Sequence, residues 1–265
     1  MILASDRLMQ IRHYLYLNGM TGIHDLASEV DASLATIRRD LQRLEKQGLI
    51  IRTHGGAALA DSVDREVAFE TRESHALDHK RAIANEAFLH LERGSAVFFD
   101  AGTTVLQLAR RLRIDPMPLT VFSNNITVSE ALSGIEGVEM NLLGGRLRHA
   151  NRSLVGILAE QAIENLWFDQ VFLGTSAVQS DGTISTPDSE EASLNAAMMR
   201  RSKECFLLTD STKFGRRSTY RVGHLDQISC VITDTDMDDA QVLALRERGH
   251  TIILASHSND GLPER

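Results

Sequence analysis

The spacing of apolar residues divides the chain into two differently patterned parts. In the stretch TIRRDLQRLEKQGLIIRTHGGA, residues 36–57, Ile37, Leu41 and Leu44 share one helical face, while Arg39, Gln42, Arg43 and Lys46, with Ala35 just upstream, gather on the other. Gly48 stops that helix, and a short β-branched run and a Gly-Gly turn follow. Upstream, residues 24–30 predict a shorter helix with Leu26, Ala27 and Val30 inward, and Asp31-Ala32-Ser33 breaks it and offers Ser33 as an N-cap. Two helices across a tight turn, then a strand and a Gly-Gly hairpin, predict a winged helix-turn-helix. The N-terminal MILASDRLMQIRHYLYL carries Asp6, Arg7 and Arg12 inside an amphipathic pattern, which predicts the first helix of that unit rather than a signal peptide.

From Lys80 onward the pattern changes. Ile83, Ala84, Ala87, Phe88 and Leu91 form a helical stripe that ends near Gly94. Strand-like runs at 96–99, 119–123, 138–143, 170–173, 205–209, 228–233 and 251–255 then alternate with helical patterns at 104–112, 126–133, 155–165, 190–201 and 238–248. Such alternation predicts an α/β fold, a mostly parallel sheet covered on both faces, with ligands beyond the carboxyl ends of the strands. The expected layout is a winged helix-turn-helix over 1–57, a polar connector with a helical portion over 58–79, the α/β unit over 80–257 and a tail over 258–265.

Composition adds constraints. A hydrophobic content of 43% over 265 residues supports two cores, and no apolar run is long enough to span a membrane. Cys205 and Cys230 lie in apolar runs without zinc-type spacing, so neither a disulfide nor a metal is expected, and a reducing cytoplasm fits. The net charge of −8 disfavours nucleic acid until its distribution is read: residues 1–60 carry seven basic against six acidic side chains, and 33–47 carry four against two. The positive charge is local to the second helix of the turn motif. Its N-terminal residues would face the bases, so Ala35, Thr36 and Arg39 are the expected base readers and Arg38, Arg43 and Lys46 the expected phosphate contacts.

The chain resembles the DeoR family of bacterial sugar-catabolism regulators at Thr36-Ile37-Arg38-Arg39-Asp40-Leu41, Leu44-Glu45, Gly48, Arg52 and His54-Gly55-Gly56-Ala57. With the wing, Ser33, Arg52, His54 and Gly55 complete the expected DNA-facing set. One departure is Asp31, where the family usually has glycine.

Four strand ends carry polar or glycine-rich loops: Asp100-Ala101-Gly102-Thr103-Thr104, Ser123-Asn124-Asn125, Gly144-Gly145-Arg146 and Asp210-Ser211-Thr212-Lys213-Phe214-Gly215. The first suits a phosphate, since a small turn at a helix N-terminus presents backbone N–H groups and two hydroxyls; a simple cap by Asp100 or Thr103 is the other reading. These loops extend the DeoR resemblance, whose effector domain is similar to ribose-5-phosphate isomerase and its sugar-phosphate-handling relatives. The resemblance implies that Gly102, Thr103 and Thr104 hold a phosphate, that Asp100 and Asn124 face sugar hydroxyls, and that Lys213 adds charge. It also implies site positions at Asn125, Gly144, Gly145, Ser153 and Glu191, the last of which could equally be a first-turn acid favoured by the helix dipole. The segment from Gly182 to Asn195 most resembles members that govern amino-sugar or related hexose pathways, including the N-acetylgalactosamine pathway repressor.

The expected function is thus a repressor of a carbohydrate-catabolism operon, released from operator DNA by a phosphorylated monosaccharide and acting as a homodimer or homotetramer without a cofactor. The alternative is an isomerase or deaminase activity in the α/β unit. Against it, these loops hold no histidine, and His149 and His224 show no paired carboxylate nearby in sequence.

Overall fold

The computed structural model describes residues 4–18, 20–46, 49–53, 56–59, 69 and 72–256. The chain splits into two compact units, Met1–Glu70 and Thr71–Arg265.

In the first unit, α1 (Ala4–Asn18), α2 (Ile23–Glu29) and α3 (Leu34–Lys46) surround a core of Ile11, Leu15, Leu26, Val30, Ile37, Leu41 and Leu44, closed by Ile50 and Ala57. The turn between α2 and α3 passes through Asp31 at φ 46°, a left-handed position that Asp tolerates better than most residues. Ser33 Oγ accepts the N–H of Thr36 at 3.2 Å, capping α3. Strands β1 (Thr21–Gly22), β2 (Ile50–Thr53) and β3 (Gly56–Leu59) form an antiparallel sheet with β3 in the middle. A side chain on Gly56 would stand 2.2 Å from the Thr21 carbonyl oxygen, so the crossing of β1 and β3 requires glycine there. Asp40 is a buried acid on the apolar face of α3, and Arg7 of α1 supplies its partner at 2.6 Å.

The second unit begins with α4 (Leu77–Leu89) and continues as β4 (Ala96–Phe99), α5 (Thr103–Ile114), β5 (Leu119–Ser123), α6 (Ile126–Leu132) and β6 (Val138–Leu142). A hairpin of β7 (Arg146–Arg148) and β8 (Ser153–Val155) leads to α7 (Ile157–Glu164) and β9 (Phe168–Leu173). Then come β10 (Ala177–Val178), β11 (Thr183–Thr186), α8 (Ser189–Arg200), β12 (Ser202–Leu208), β13 (Tyr220–His224), β14 (Cys230–Asp234), α9 (Asp239–Glu247) and β15 (Ile252–Ala255). Seven strands make one parallel sheet in the order β15-β14-β12-β9-β4-β5-β6. Phe98, Val171, Leu173 and Leu207 pack on the α7–α9 side, where Ile163, Met198 and Val242 meet them. Neighbouring Val97, Phe99 and Phe172 are fully buried too, as a sheet covered on both faces requires.

The periodicity expected each of these seven strands, within a few residues. It did not expect β7, β8, β10, β11 or β13, and β10, β11 and β13 form a second, antiparallel sheet. Of the expected connector, residues 58–59 belong to β3 and 77–79 to α4, whereas 60–68 and 70–71, like the expected tail at 258–265, lie outside the described residues.

Candidate functional site

Burying Ile37, Leu41 and Leu44 stabilises α3 by about 1.5–3 kcal/mol each and fixes which face turns outward. Ala35, Arg38, Arg39, Arg43 and Lys46 are exposed on that helix, with Ser33 exposed at its cap and Thr36 half-buried behind it. Arg52 on β2 is exposed and lies 3.7 Å from Glu45. His54 and Gly55, expected to form the tip of the wing, lie outside the described residues.

In the α/β unit the chain leaves β4 toward β5 and β6 on one side and later returns to β9, β12, β14 and β15 on the other. The loops after β4 and β9 therefore part at a switch point, the place where open α/β sheets form crevices. A cavity of about 420 Å³ lies there, lined by 100–104 after β4, 174–176 after β9, and Thr209, Asp210, Thr212 and Lys213 after β12. Gly102 and Gly174 let the first two loops touch, since a Cβ on either would stand 3.2 Å from the other's Cα. Asp100, almost fully buried, locks the contact by accepting the Gly174 N–H at 2.9 Å. Burial, reinforced by the charge of Glu191, pushes the Asp100 carboxyl up to about 7 against the backbone N–H groups of Gly174, Ala101 and Gly102.

The N-cap of α5 is Gly102, with no side-chain cap, so neither Asp100 nor Thr103 fills the capping role. The uncapped N–H groups of α5 thus meet the cavity beside the Thr103 and Thr104 hydroxyls, a setting that favours an anion. Arg72, Lys80, Lys213 and Arg216 supply cationic lining. Of the acids, Glu191 is held by Arg148 at 2.6 Å, by Thr186 at 2.7 Å and by Asn151 at 3.4 Å, and Asp210 faces Lys213 at 3.9 Å. Thr209 Oγ1, on a residue 2% exposed, has no protein partner among the described residues.

Asp100, Gly102, Thr103, Thr104, Glu191 and Lys213 thus meet at the cavity, whereas Asn124, Asn125, Gly144, Gly145 and Ser153 are not among its lining. Asn125 caps α6 by accepting the Val128 N–H at 3.0 Å and donates to the Asn151 carbonyl at 2.7 Å. Ser153 Oγ donates to Asn151 Oδ1 at 2.6 Å, so both residues hold a cavity-lining asparagine that sequence reasoning passed over. Asn124 donates to the Leu154 carbonyl at 3.3 Å, and its own Oδ1 is buried without a partner among the described residues. Gly145, at φ 151°, sits where a Cβ would meet the Val155 carbonyl oxygen at 2.8 Å, so the Gly-Gly turn serves the β7–β8 hairpin. Gly144 has open space around it. Further lining residues missed from sequence are Arg72, His75, Lys80, Thr175, Ser176, Thr209 and Arg216. His224 does have a nearby carboxylate, Asp226 at 2.9 Å, but it caps the turn after β13 and lies outside the cavity lining.

A winged helix-turn-helix with a basic outer face, joined in one chain to an α/β unit with an anion-suited cavity, defines a DNA-binding regulator with a sensor domain. Two protein-family models match: the DeoR-like helix-turn-helix domain over residues 7–63 and the DeoR C terminal sensor domain over residues 75–235. The HTH-type transcriptional regulator GlpR of Haloferax volcanii is 36% identical over 252 residues, spanning 95% of this chain and 98% of its own. A protein of Escherichia coli O157:H7 named for repression of the aga operon is 34% identical over 253 residues, spanning 95% of this chain and 94% of its own. Among solved structures, ribose 5-phosphate isomerase A from Methanocaldococcus jannaschii aligns with 52% of this chain and 54% of its own, at 15% identity and a TM-score of 0.39. The chain belongs to the DeoR family of transcriptional regulators. Among the described residues no helix is long and apolar enough to cross a membrane.

Proposed function

We propose that this regulator represses a carbohydrate-catabolism operon and that a phosphorylated monosaccharide in the α/β cavity releases it from operator DNA. The observation that carries the reading is the uncapped N-terminus of α5 opening, with Thr103 and Thr104, into a 420 Å³ cavity that Lys80 and Lys213 also line. Gly102, Thr103, Thr104 and Lys213 take the phosphate, and Asp100, with Glu191 behind it, takes sugar hydroxyls. Asn125 and Ser153 act through Asn151. On the DNA, Ala35, Thr36 and Arg39 read base edges, and Arg38, Arg43, Lys46, Arg52 and the cap at Ser33 engage phosphates. One small head offers few phosphate contacts, so a dimer or tetramer places paired heads on repeated half-sites and raises the effective concentration of the second. The repressor names of relatives support the sign of control.

The Asp100 carboxyl, raised to about 7, is a feature that would also suit a general base for aldose–ketose isomerisation. A thermal-shift panel of ribose 5-phosphate, glucose 6-phosphate and galactosamine 6-phosphate, each beside its unphosphorylated sugar, tests the sensor reading. A melting temperature raised by one phosphate and not by its free sugar is the expected result, and no shift with any of the three overturns it. Conversion of the bound sugar phosphate, followed by NMR, would make the cavity an active site instead.

A further inference from the structure

The first turn of α4 holds a group that the phosphate-binding residues do not explain. Lys80 is 4% exposed yet lines the cavity, at the head of the stripe that buries Ile83, Ala84 and Ala87, where an aliphatic side chain would pack. A buried ammonium is costly unless its donors are satisfied, and it has three. Two go to backbone carbonyls of the segment that enters α4, those of Arg72 and of His75, the latter at 2.7 Å. That segment turns into the helix through Ala76, held left-handed at φ 52° and ψ 40°, a conformation that a residue with a Cβ adopts only when its surroundings impose it. Lys80 therefore stands between the cavity and the backbone path of the connector. Burial pushes the ammonium down to about 8 against the attraction of Asp210, so it remains charged at neutral pH.

Neighbouring contacts reinforce this position. Arg72, in the same entering segment, lines the cavity and donates to the Ala150 carbonyl at 3.0 Å. His79 lies 3.5 Å from Asp234 Oδ1, and the other Asp234 oxygen accepts the Ser211 N–H of the cavity loop at 2.8 Å. The buried Thr209 hydroxyl without a partner among the described residues opens on the same cavity, as expected of a wall that completes its hydrogen bonds with a ligand.

We propose that Lys80 is a ligand contact that transmits occupancy: its third N–H binds an oxygen of the phosphorylated sugar while the other two hold the Arg72 and His75 carbonyls, so the bound sugar sets the path of the segment leading to the DNA-binding head. The inference rests on the sugar-phosphate reading above. Lys213, which faces Asp210 and among the described residues makes no such link to the connector, serves affinity alone.

The test uses the full chain and whichever of the three sugar phosphates raises its melting temperature most. Amide hydrogen exchange over residues 72–80 is followed with and without that probe, and DNA affinity is measured with and without saturating probe for wild type, Lys80→Met and Lys213→Ala. Wild type should show slower exchange at 72–80 and a DNA affinity changed by about 5–150-fold, the usual span of such coupling. Lys213→Ala should need more probe yet reach the wild-type ratio at saturation. Lys80→Met, compared with its own probe-free affinity, should change less than about 2-fold, because its link to the connector is gone. Wild-type coupling in a Lys80→Met protein saturated with probe overturns the inference. Wild-type exchange at 72–80 that ignores bound probe also overturns it, even if the variant fails to fold. A panel in which nothing binds removes the sugar-phosphate reading itself.

Discussion

Replacing Asp100 with asparagine removes a buried ionisation while keeping the shape of the side chain. The carboxyl is 4% exposed, and burial with the charge of Glu191 moves it from 3.8 to about 7. The folded chain therefore binds this proton more tightly than the unfolded chain does. The stabilisation is complete below pH 3.8 and is lost as pH rises through 7, at up to about 1.4 kcal/mol per pH unit between those values. By pH 8 the accumulated loss is about 4 kcal/mol. Asparagine does not titrate, and its carbonyl oxygen can still accept the Gly174 N–H. Urea unfolding followed by the fluorescence of Trp167, the single tryptophan and a residue of the α/β unit, isolates the relevant transition. The stability of Asp100→Asn minus that of wild type should climb by about 4 kcal/mol from pH 4 to pH 8, most of it before pH 7. A difference that stays flat, or shrinks with rising pH, would refute the claim that burial dominates this carboxyl.

Other substitutions test separate links. Arg39→Ala should cost about 1–3 kcal/mol on the selected site and relax preference at one base pair, whereas Arg43→Ala should weaken selected and scrambled DNA alike and flatten the salt dependence; anisotropy across a salt series separates them. Gly174→Ala pushes a Cβ to 3.2 Å from Gly102 Cα and 3.3 Å from Asp100 Oδ2, so thermal melting should show a loss of about 1–3 kcal/mol together with weaker sugar-phosphate binding. Asp40→Ala leaves Arg7 without its partner, and amide exchange in α1 and α3 should accelerate while that of the parallel sheet is unchanged.

What was legible from sequence followed the range of the physical signal. The central parallel strands β4, β9 and β14 are buried on both faces, so each writes a largely apolar run that needs no partner to be recognised, whereas the edge strand β6 is exposed or half-buried along its length. Strands β11 and β13 are half polar, and their pairing joins residues such as Ser185 and Arg221 that are far apart in the chain. Ile37, Leu41 and Leu44 declare their helical face locally, but the burial of Asp40 depends on Arg7, 33 residues away. The 100–104 loop stood out because a glycine and two threonines end a strand and begin a helix. Gly144-Gly145 carried the same compositional sign and serves a hairpin, since glycine marks any tight backbone, with or without a ligand. Asn151, Thr175 and Thr209 reach the cavity from three separate strand ends, and nothing in their own neighbourhoods announces it. Lys80 did leave a trace: a lysine in register with Ile83, Ala84 and Ala87 sits where a hydrophobic residue is expected.

The central claim is that one protein couples a sugar phosphate to DNA, and linkage gives it a direct measurement. Affinity for the DNA site that the full chain selects from a random pool is titrated with and without saturating sugar phosphate, and affinity for the sugar phosphate is titrated with and without that DNA. The two ratios should be equal, within about 5–150-fold, and the unphosphorylated sugar should leave DNA binding unchanged. A sugar phosphate that binds without altering DNA affinity, or a free sugar that releases DNA as well as its phosphate does, would contradict the account.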